Sequence, residues 1–222
     1  VSGGALAVKK LCVRPKYQQD YDLQGRSEWI FYIIKFLARI ILTPFFRIQV
    51  AGSENLPLNR AFILLAKHQR WEDIPVLGLS TPRPLYYIAK YELFKNTLSN
   101  WFFKALGGIP INRQRPLESR RFLHATIELL EKGEGVVIFP EGTYYRNKMG
   151  PGQIGMVRFV LSRLALPFVP VGINYSSPGG RILVRINFGK PFYANASLSA
   201  DTFVNSMMEK IAQLSGLATH LR

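Results

Sequence analysis

Between residues 61 and 214 the chain alternates short, unbroken apolar runs with stretches whose apolar residues recur at helical spacing. That rhythm confines it to α/β architectures. AFILLA (61–66), LYYIA (85–89), GVVIF (135–139), FVPVGINY (168–175) and RILVRINFG (181–189) have the length and composition of strands. Residues 96–106, 117–132, 155–164 and 201–214 read as helices between and after them, with Gly107-Gly108 and Lys132-Gly133 as stops. The turn at 176–180 makes the last two strands a pair, whereas the earlier ones need helical crossovers. The expected fold is a single α/β domain with a mostly parallel or mixed sheet flanked by helices. A length of 222 residues suits one core of that kind. Pro170, inside an apolar run, predicts an edge or irregular strand that shapes a pocket wall without doing chemistry.

Ahead of this pattern, residues 1–28 form an irregular lead-in, too polar for a cleavable leader. WIFYIIKFLARIILTPFF (29–46) follows. As a helix it would extend about 27 Å, short of a bilayer core of about 30 Å. Lys35 and Arg39 share one face, with Arg47 near the same stripe, and Pro44 should kink or end the helix. The pattern predicts an amphipathic helix lying in a membrane interface. A helix covering the domain's own core and a true span are the alternatives. The division expected is residues 1–50 as lead-in and membrane-associating segment, and 51–222 as the catalytic domain.

The charge balance points the same way. There are 29 lysines and arginines against 14 acidic residues, a net charge of +15, which attracts polyanions. Nucleic acid and anionic lipid both qualify. No nucleic-acid-binding motif is present, and the longest apolar run sits where an anchor belongs, so a membrane is the expected partner and nucleic acid is not. The lone Cys12 excludes an internal disulfide. His68, His124 and His220 are too scattered for a zinc site, so no metal is expected.

The chemistry-bearing residues gather after the predicted strands. KHQRWEDIP follows the run at 61–66 and brings His68 within a turn of Asp73. Asp73 could hold one imidazole nitrogen while the other takes a proton from a hydroxyl, which is a serine-type triad without its nucleophile. A substrate alcohol can supply that missing part and attack a thioester directly. A structural hydrogen bond, Glu72 as the rival partner, or Asp73 as a helix cap would use the same residues. GGIPINRQR (107–115) would present Arg113 and Arg115 beside a sheet edge, where a guanidinium suits phosphate; a solvated basic edge is the alternative. FPEGTYY (139–145) follows another strand. Gly142 allows a tight turn there, and Glu141 could orient a hydroxyl or a basic side chain.

These segments together resemble the glycerophospholipid acyltransferase family, especially bacterial 1-acyl-sn-glycerol-3-phosphate acyltransferases. Its His and Asp with four residues between them are matched by His68 and Asp73. Its glycine-containing stretch ending in arginine is matched by GGIPINR with Arg113. Its Phe-Pro-Glu-Gly-Thr motif is met by Phe139 to Thr143, and its apolar stretch with a proline by Val169, Pro170 and Val171. The motifs stand in the family's order over roughly residues 55–190. The resemblance implies that His68 is the base and Asp73 its orienter, and that Arg113, Glu141 and Gly142 bind a phosphate-bearing acceptor, with Thr143 beside them and Arg115 as second choice to Arg113. Lys90 is similar to a lysine the family keeps near its acceptor. It also implies an acyl-CoA or acyl-carrier-protein donor, no permanently bound cofactor, and an anionic phospholipid membrane as partner, at the cytoplasmic face of a bacterial inner membrane. Lys67 and Arg70 depart from the commoner residues beside the histidine and could bind phosphate or steer anionic lipid. Tyr144 stands where the third motif often continues with arginine.

The expected reaction is acyl transfer to the sn-2 hydroxyl of 1-acyl-sn-glycerol 3-phosphate (lysophosphatidic acid), giving phosphatidic acid. Glycerol 3-phosphate or another lysophospholipid is the nearest alternative acceptor, and a non-enzymatic basic lipid-binding protein is the alternative of another class.

Overall fold

A computed structural model describes residues 26–112, 116–177, 179–194 and 199–218. In chain order the elements are α1 (Glu28–Leu42), β1 (Phe46–Ala51), β2 (Phe62–Ala66), α2 (Asp73–Ser80), β3 (Tyr86–Lys90), α3 (Thr97–Ala105), β4 (Gly108–Ile111), α4 (Pro116–Glu131), β5 (Gly135–Ile138), α5 (Ile154–Leu161), β6 (Pro167–Ser176), β7 (Ile182–Phe188), β8 (Phe192–Tyr193) and α6 (Ala200–Ser215). The strands form one mixed sheet in the order β1-β7-β6-β2-β5-β3-β4, with β8 on β6. The pairs made by β2, β3, β4 and β5, and the β1–β7 pair, are parallel. β6 is antiparallel to β7 and β8. This is the mixed α/β sheet that the alternation of runs predicts.

The period of two in β2 sorts its side chains between two cores. Ile63 and Leu65 join Val136, Ile138 and the inner faces of α4, α5 and α6. Phe62, Leu64 and Ala66 join Val137, Val76 and Leu77 of α2, and Leu42 at the end of α1. Every residue of β2 is buried, as a strand covered on both faces must be. Burying each large apolar side chain contributes about 1.5–3 kcal/mol, so β2 is firmly held beneath the site it feeds. Gly172 lets α6 close on the sheet, since a Cβ there would fall on the Leu214 carbonyl carbon.

Three expectations need correction. The helix expected over 29–46 ends at Leu42, and Phe46 instead opens β1, which runs parallel to β7 at one sheet edge. β1 spans the division expected between residues 50 and 51 and ties the N-terminal segment to the sheet. Gly107-Gly108 does stop α3, but Gly108–Ile111 then forms β4, the other edge strand. Pro170 lies in an interior strand, not at an edge. The Val171 carbonyl accepts from Lys67 on the β2 side, whereas the Pro170 carbonyl accepts from Gly189 on the other. Proline's missing N–H therefore faces the gap between β7 and β8, where no ladder bond is lost. Its neighbours Val169 and Val171 are core residues.

Among the described residues no helix is long and apolar enough to cross a membrane. α1 buries only Phe31 and Leu42. Trp29, Ile33, Phe36, Leu37, Ile40 and Ile41 face outward. One face of the helix, through Phe31, Ala38 and Leu42, packs on the domain, and the larger apolar face is left uncovered. The cations are also not where a simple basic stripe would put them, because the Lys35 ammonium turns inward and donates to the Thr81 carbonyl at 2.6 Å.

Candidate active site

β2 lies between β5 and β6, so its C-terminal end opens at the centre of the sheet, the usual place for ligand loops in such folds. The chain leaves β2 through Lys67, His68, Gln69 and Arg70 and enters α2 at Asp73. The His68 Nδ1 lies 3.0 Å from Asp73 Oδ2. A carboxylate only accepts, so Nδ1 carries the proton and Nε2 keeps its lone pair free.

Asp73 is completely buried and fully engaged. Its Oδ2 also accepts the backbone N–H groups of Gln69 (2.6 Å) and Arg70 (2.8 Å), and its Oδ1 accepts the Tyr175 hydroxyl at 2.7 Å. Burial, with the Asp73 charge beside it, pushes the Tyr175 hydroxyl well above the ordinary tyrosine range, which keeps it a donor. The Asp73 carboxylate binds N–H groups that precede its helix, so it organises the loop and does not cap α2. Glu72 does not take the histidine's proton; that partner is Asp73. The negative charge also sits at the first turn of α2, where the helix dipole favours it.

The imidazole is held from its faces as well. It stacks on Phe139 with centroids 3.9 Å apart and meets the half-exposed Tyr144 ring at 4.4 Å. Burial, followed by the charges of Asp73 and Glu72, raises the Tyr144 hydroxyl from its usual value. His68 is 9% exposed, so little of its surface reaches solvent.

Beneath the histidine, the loops after β2 and β5 are pinned together by a buried ion pair. The Lys67 ammonium donates to both oxygens of Glu141 (2.8 and 2.7 Å) and to the carbonyls of Tyr145 (2.8 Å) and His68 (3.2 Å). Glu141 accepts in addition the N–H groups of His68 (3.0 Å) and Gly150 (2.7 Å). Burial lowers the Lys67 ammonium from its ordinary value, opposed by its bonds to Glu141. Gln69 extends the network, donating to the Ile173 carbonyl and accepting from the Asn147 N–H. Gly142 makes the tight turn, with φ 71° and its N–H bonded to the Phe139 carbonyl, a conformation that a side chain would strain.

The structure thus brings His68, Asp73, Lys67, Glu141 and Gly142 together. Lys67 and Glu141, expected to meet the acceptor, are covered, with their polar atoms directed at one another and at backbone. Thr143 is exposed at the rim. The Arg70 guanidinium lies over the Tyr175 ring at 4.7 Å. Lys90 is exposed at the C-terminal end of β3, in register with Ile111 of β4, so it stands on the rim from which the chain leads towards Arg113. Arg113 and Arg115 themselves lie outside the described residues, as do Cys12 and His220. His124 projects from α4 against Phe159, remote in sequence from the motifs. Among the described residues no group of three His, Cys, Asp or Glu side chains could hold a metal.

Tyr175 and Phe139 are the contributors that residue-by-residue reasoning did not assign. Both end strands that flank β2, and only the order β6-β2-β5 makes them neighbours of His68.

A histidine with one nitrogen fixed on a buried carboxylate and the other free can take a proton from an alcohol, and among the described residues no serine or cysteine is bonded to it. Residues 47–174 match the acyltransferase family. The chain is 29% identical to a chloroplastic 1-acyl-sn-glycerol-3-phosphate acyltransferase of Brassica napus over 87% of its own length, and spans 58% of that protein. It is 31% identical to the Bacillus subtilis 1-acyl-sn-glycerol-3-phosphate acyltransferase, covering 70% of this chain and 78% of that one. The crystal structure of the 1-acyl-sn-glycerophosphate acyltransferase of Thermotoga maritima superposes with a TM-score of 0.69 at 26% identity, covering 85% of this chain and 79% of that one. With the matched family region filling most of the sheet and the His–Asp pair at its centre, the chain belongs to the glycerophospholipid acyltransferase family.

Proposed function

We propose that the protein transfers a fatty acyl group from an acyl-CoA or acyl-carrier-protein thioester to the sn-2 hydroxyl of 1-acyl-sn-glycerol 3-phosphate, giving phosphatidic acid. The observation that carries this reading is the free Nε2 of His68, opposite an Nδ1 bonded to Asp73. A neutral alcohol needs a base that takes its proton as its oxygen bonds to the thioester carbonyl. In the proposed step His68 Nε2 takes that proton and the hydroxyl oxygen adds to the carbonyl carbon. The tetrahedral intermediate then expels the thiolate, and the imidazolium returns a proton to the sulfur. Asp73, held by Tyr175 and two backbone N–H groups, keeps the tautomer and offsets the imidazolium charge. Lys67 and Glu141 act as positioning residues that hold the two loops. Arg113, assisted by Arg115, receives the acceptor phosphate, with Lys90, exposed at the end of β3, and Arg70 as further cations for it. The names of the Brassica, Bacillus and Thermotoga relatives support this acceptor.

The same reading places the enzyme on the cytoplasmic face of a bacterial membrane, with α1 lying in the interface and its outward apolar residues among the lipid. Thiol release from an acyl-CoA, run in parallel with lysophosphatidic acid, glycerol 3-phosphate and lysophosphatidylglycerol, tests the function. Fastest release with lysophosphatidic acid is expected. Preference for another acceptor would reassign the substrate, and release with none of them would overturn the activity.

A further inference from the structure

Away from the base, the structure has a second concave feature. A groove of about 570 Å³ runs between α1 and β1 and reaches the end of α2. Lys35, Arg39, Arg47 and Arg181 line it, and no carboxylate does. Protein surfaces ordinarily intersperse the two signs of charge. Arg39 and Arg47 take part in no ion pair among the described residues. The Lys35 ammonium is bonded to the Thr81 carbonyl, and the Arg181 guanidinium to the Thr43 carbonyl at 3.3 Å. Burial, then the charge of Arg39, lowers the Lys35 ammonium from its usual value, so the groove already resists its own positive charge.

Apart from Thr43 and Ser80 the groove's other walls are apolar, and of these Tyr32, Phe36 and Val50 are exposed. Tyr32 and Phe36 belong to the outward face of α1, so the cations border an apolar stripe. That combination fits a negatively charged headgroup whose chains continue along the stripe; a free anion would leave the apolar wall unused. Nucleic acid would meet the same mismatch. The groove is separate from the chemistry. It touches Leu79 and Ser80 at one end of α2, and Asp73 stands at the other, roughly 10 Å along the helix.

We infer that the α1–β1 groove is a docking site for the headgroup of an anionic membrane phospholipid, distinct from the acceptor site beside His68. The inference rests on the interfacial placement of α1 proposed above. A lipid seated there would fix how α1 meets the bilayer, and through α2 the orientation of the opening at His68.

Flotation of the full chain on phosphatidylcholine vesicles, with and without phosphatidylglycerol, tests it. Three proteins are compared: wild type, Arg39→Gln/Arg47→Gln, and the control Lys132→Gln/Arg163→Gln, which removes the same charge from exposed positions around α4 and α5. A cation at an anionic surface contributes about fivefold in binding. The groove pair should therefore weaken binding to phosphatidylglycerol vesicles about 25-fold, leave binding to pure phosphatidylcholine unchanged, and exceed the control by far. Equal losses in both pairs would mean diffuse electrostatics and overturn the groove while leaving membrane association standing. Wild type floating with neither vesicle would overturn the membrane placement and the groove with it. A short-chain phosphatidylglycerol should displace the protein, whereas inorganic phosphate at matched ionic strength should not; equal displacement would assign the groove to free phosphate.

Discussion

At the scale of single residues, the site separates groups that face substrate from groups that hold them in place. Asp73 belongs to the second kind, with acceptor bonds to His68, two backbone N–H groups and Tyr175. Asp73→Asn keeps the shape but admits the wrong imidazole tautomer, and should lower kcat by about 10²-fold or more. Steady-state thiol release beside a thermal melt checks it, and undiminished kcat would contradict the role. Lys67 and Glu141 form a buried pair whose charges are satisfied only by each other and by backbone. Lys67→Met strands the Glu141 carboxylate and should cost about 3–5 kcal/mol of stability, read from a urea midpoint. The double change Lys67→Met/Glu141→Leu should cost less than Lys67→Met alone, because the uncompensated charge is gone; a larger loss would contradict the pairing argument. For Arg113 the expectation is kinetic. Arg113→Ala should mainly raise the KM for lysophosphatidic acid, and a loss confined to kcat would point to another role.

At the scale of elements, α6 is held on β6 at a glycine. The Ser215 hydroxyl accepts from the Ile173 N–H at 3.3 Å, and the Asn174 amide donates to the Ser215 carbonyl. Gly172→Val would push the helix off the sheet and should destabilise by about 1–3 kcal/mol as overpacking; an unchanged melt would show that the helix yields freely. Elements of this sort were well marked in the sequence wherever a strong period or a stop was available. The runs that became β2, β5, β6 and β7, and the helices α3 to α6, lie where the apolar spacing puts them. The edge strands β1 and β4 were hidden for physical reasons. β1 has a mostly exposed surface and opens inside the same apolar run that forms the helix before it, and β4 is four residues opened by a glycine pair. The His68–Asp73 pair was legible because both residues fall in one short loop. Tyr175 was not, since its place depends on which strands become neighbours. Glu141 was legible as a residue that could orient a basic side chain, but not that this side chain is Lys67, which read as a cation for phosphate or anionic lipid because a sequence shows charge but not the partner that buries it.

At the scale of the whole molecule, two surfaces share one sheet. The central strands end at a nearly closed imidazole, while α1 turns an apolar face outward beside a cationic groove. The proposed reaction, on an acceptor that resides in a bilayer, would use both, the one for chemistry and the other for access. The claim on which the rest depends is that His68 is the base, so the most direct measurement is turnover of acyl-CoA with lysophosphatidic acid by His68→Ala, beside its thermal melt. His68 lies in a loop, with its backbone N–H and carbonyl still able to bond Glu141 and Tyr145 after substitution, so the variant should fold. A loss of about 10²–10⁴-fold in kcat is expected, with the melt largely preserved. A folded His68→Ala protein turning over at close to the wild-type rate would contradict it.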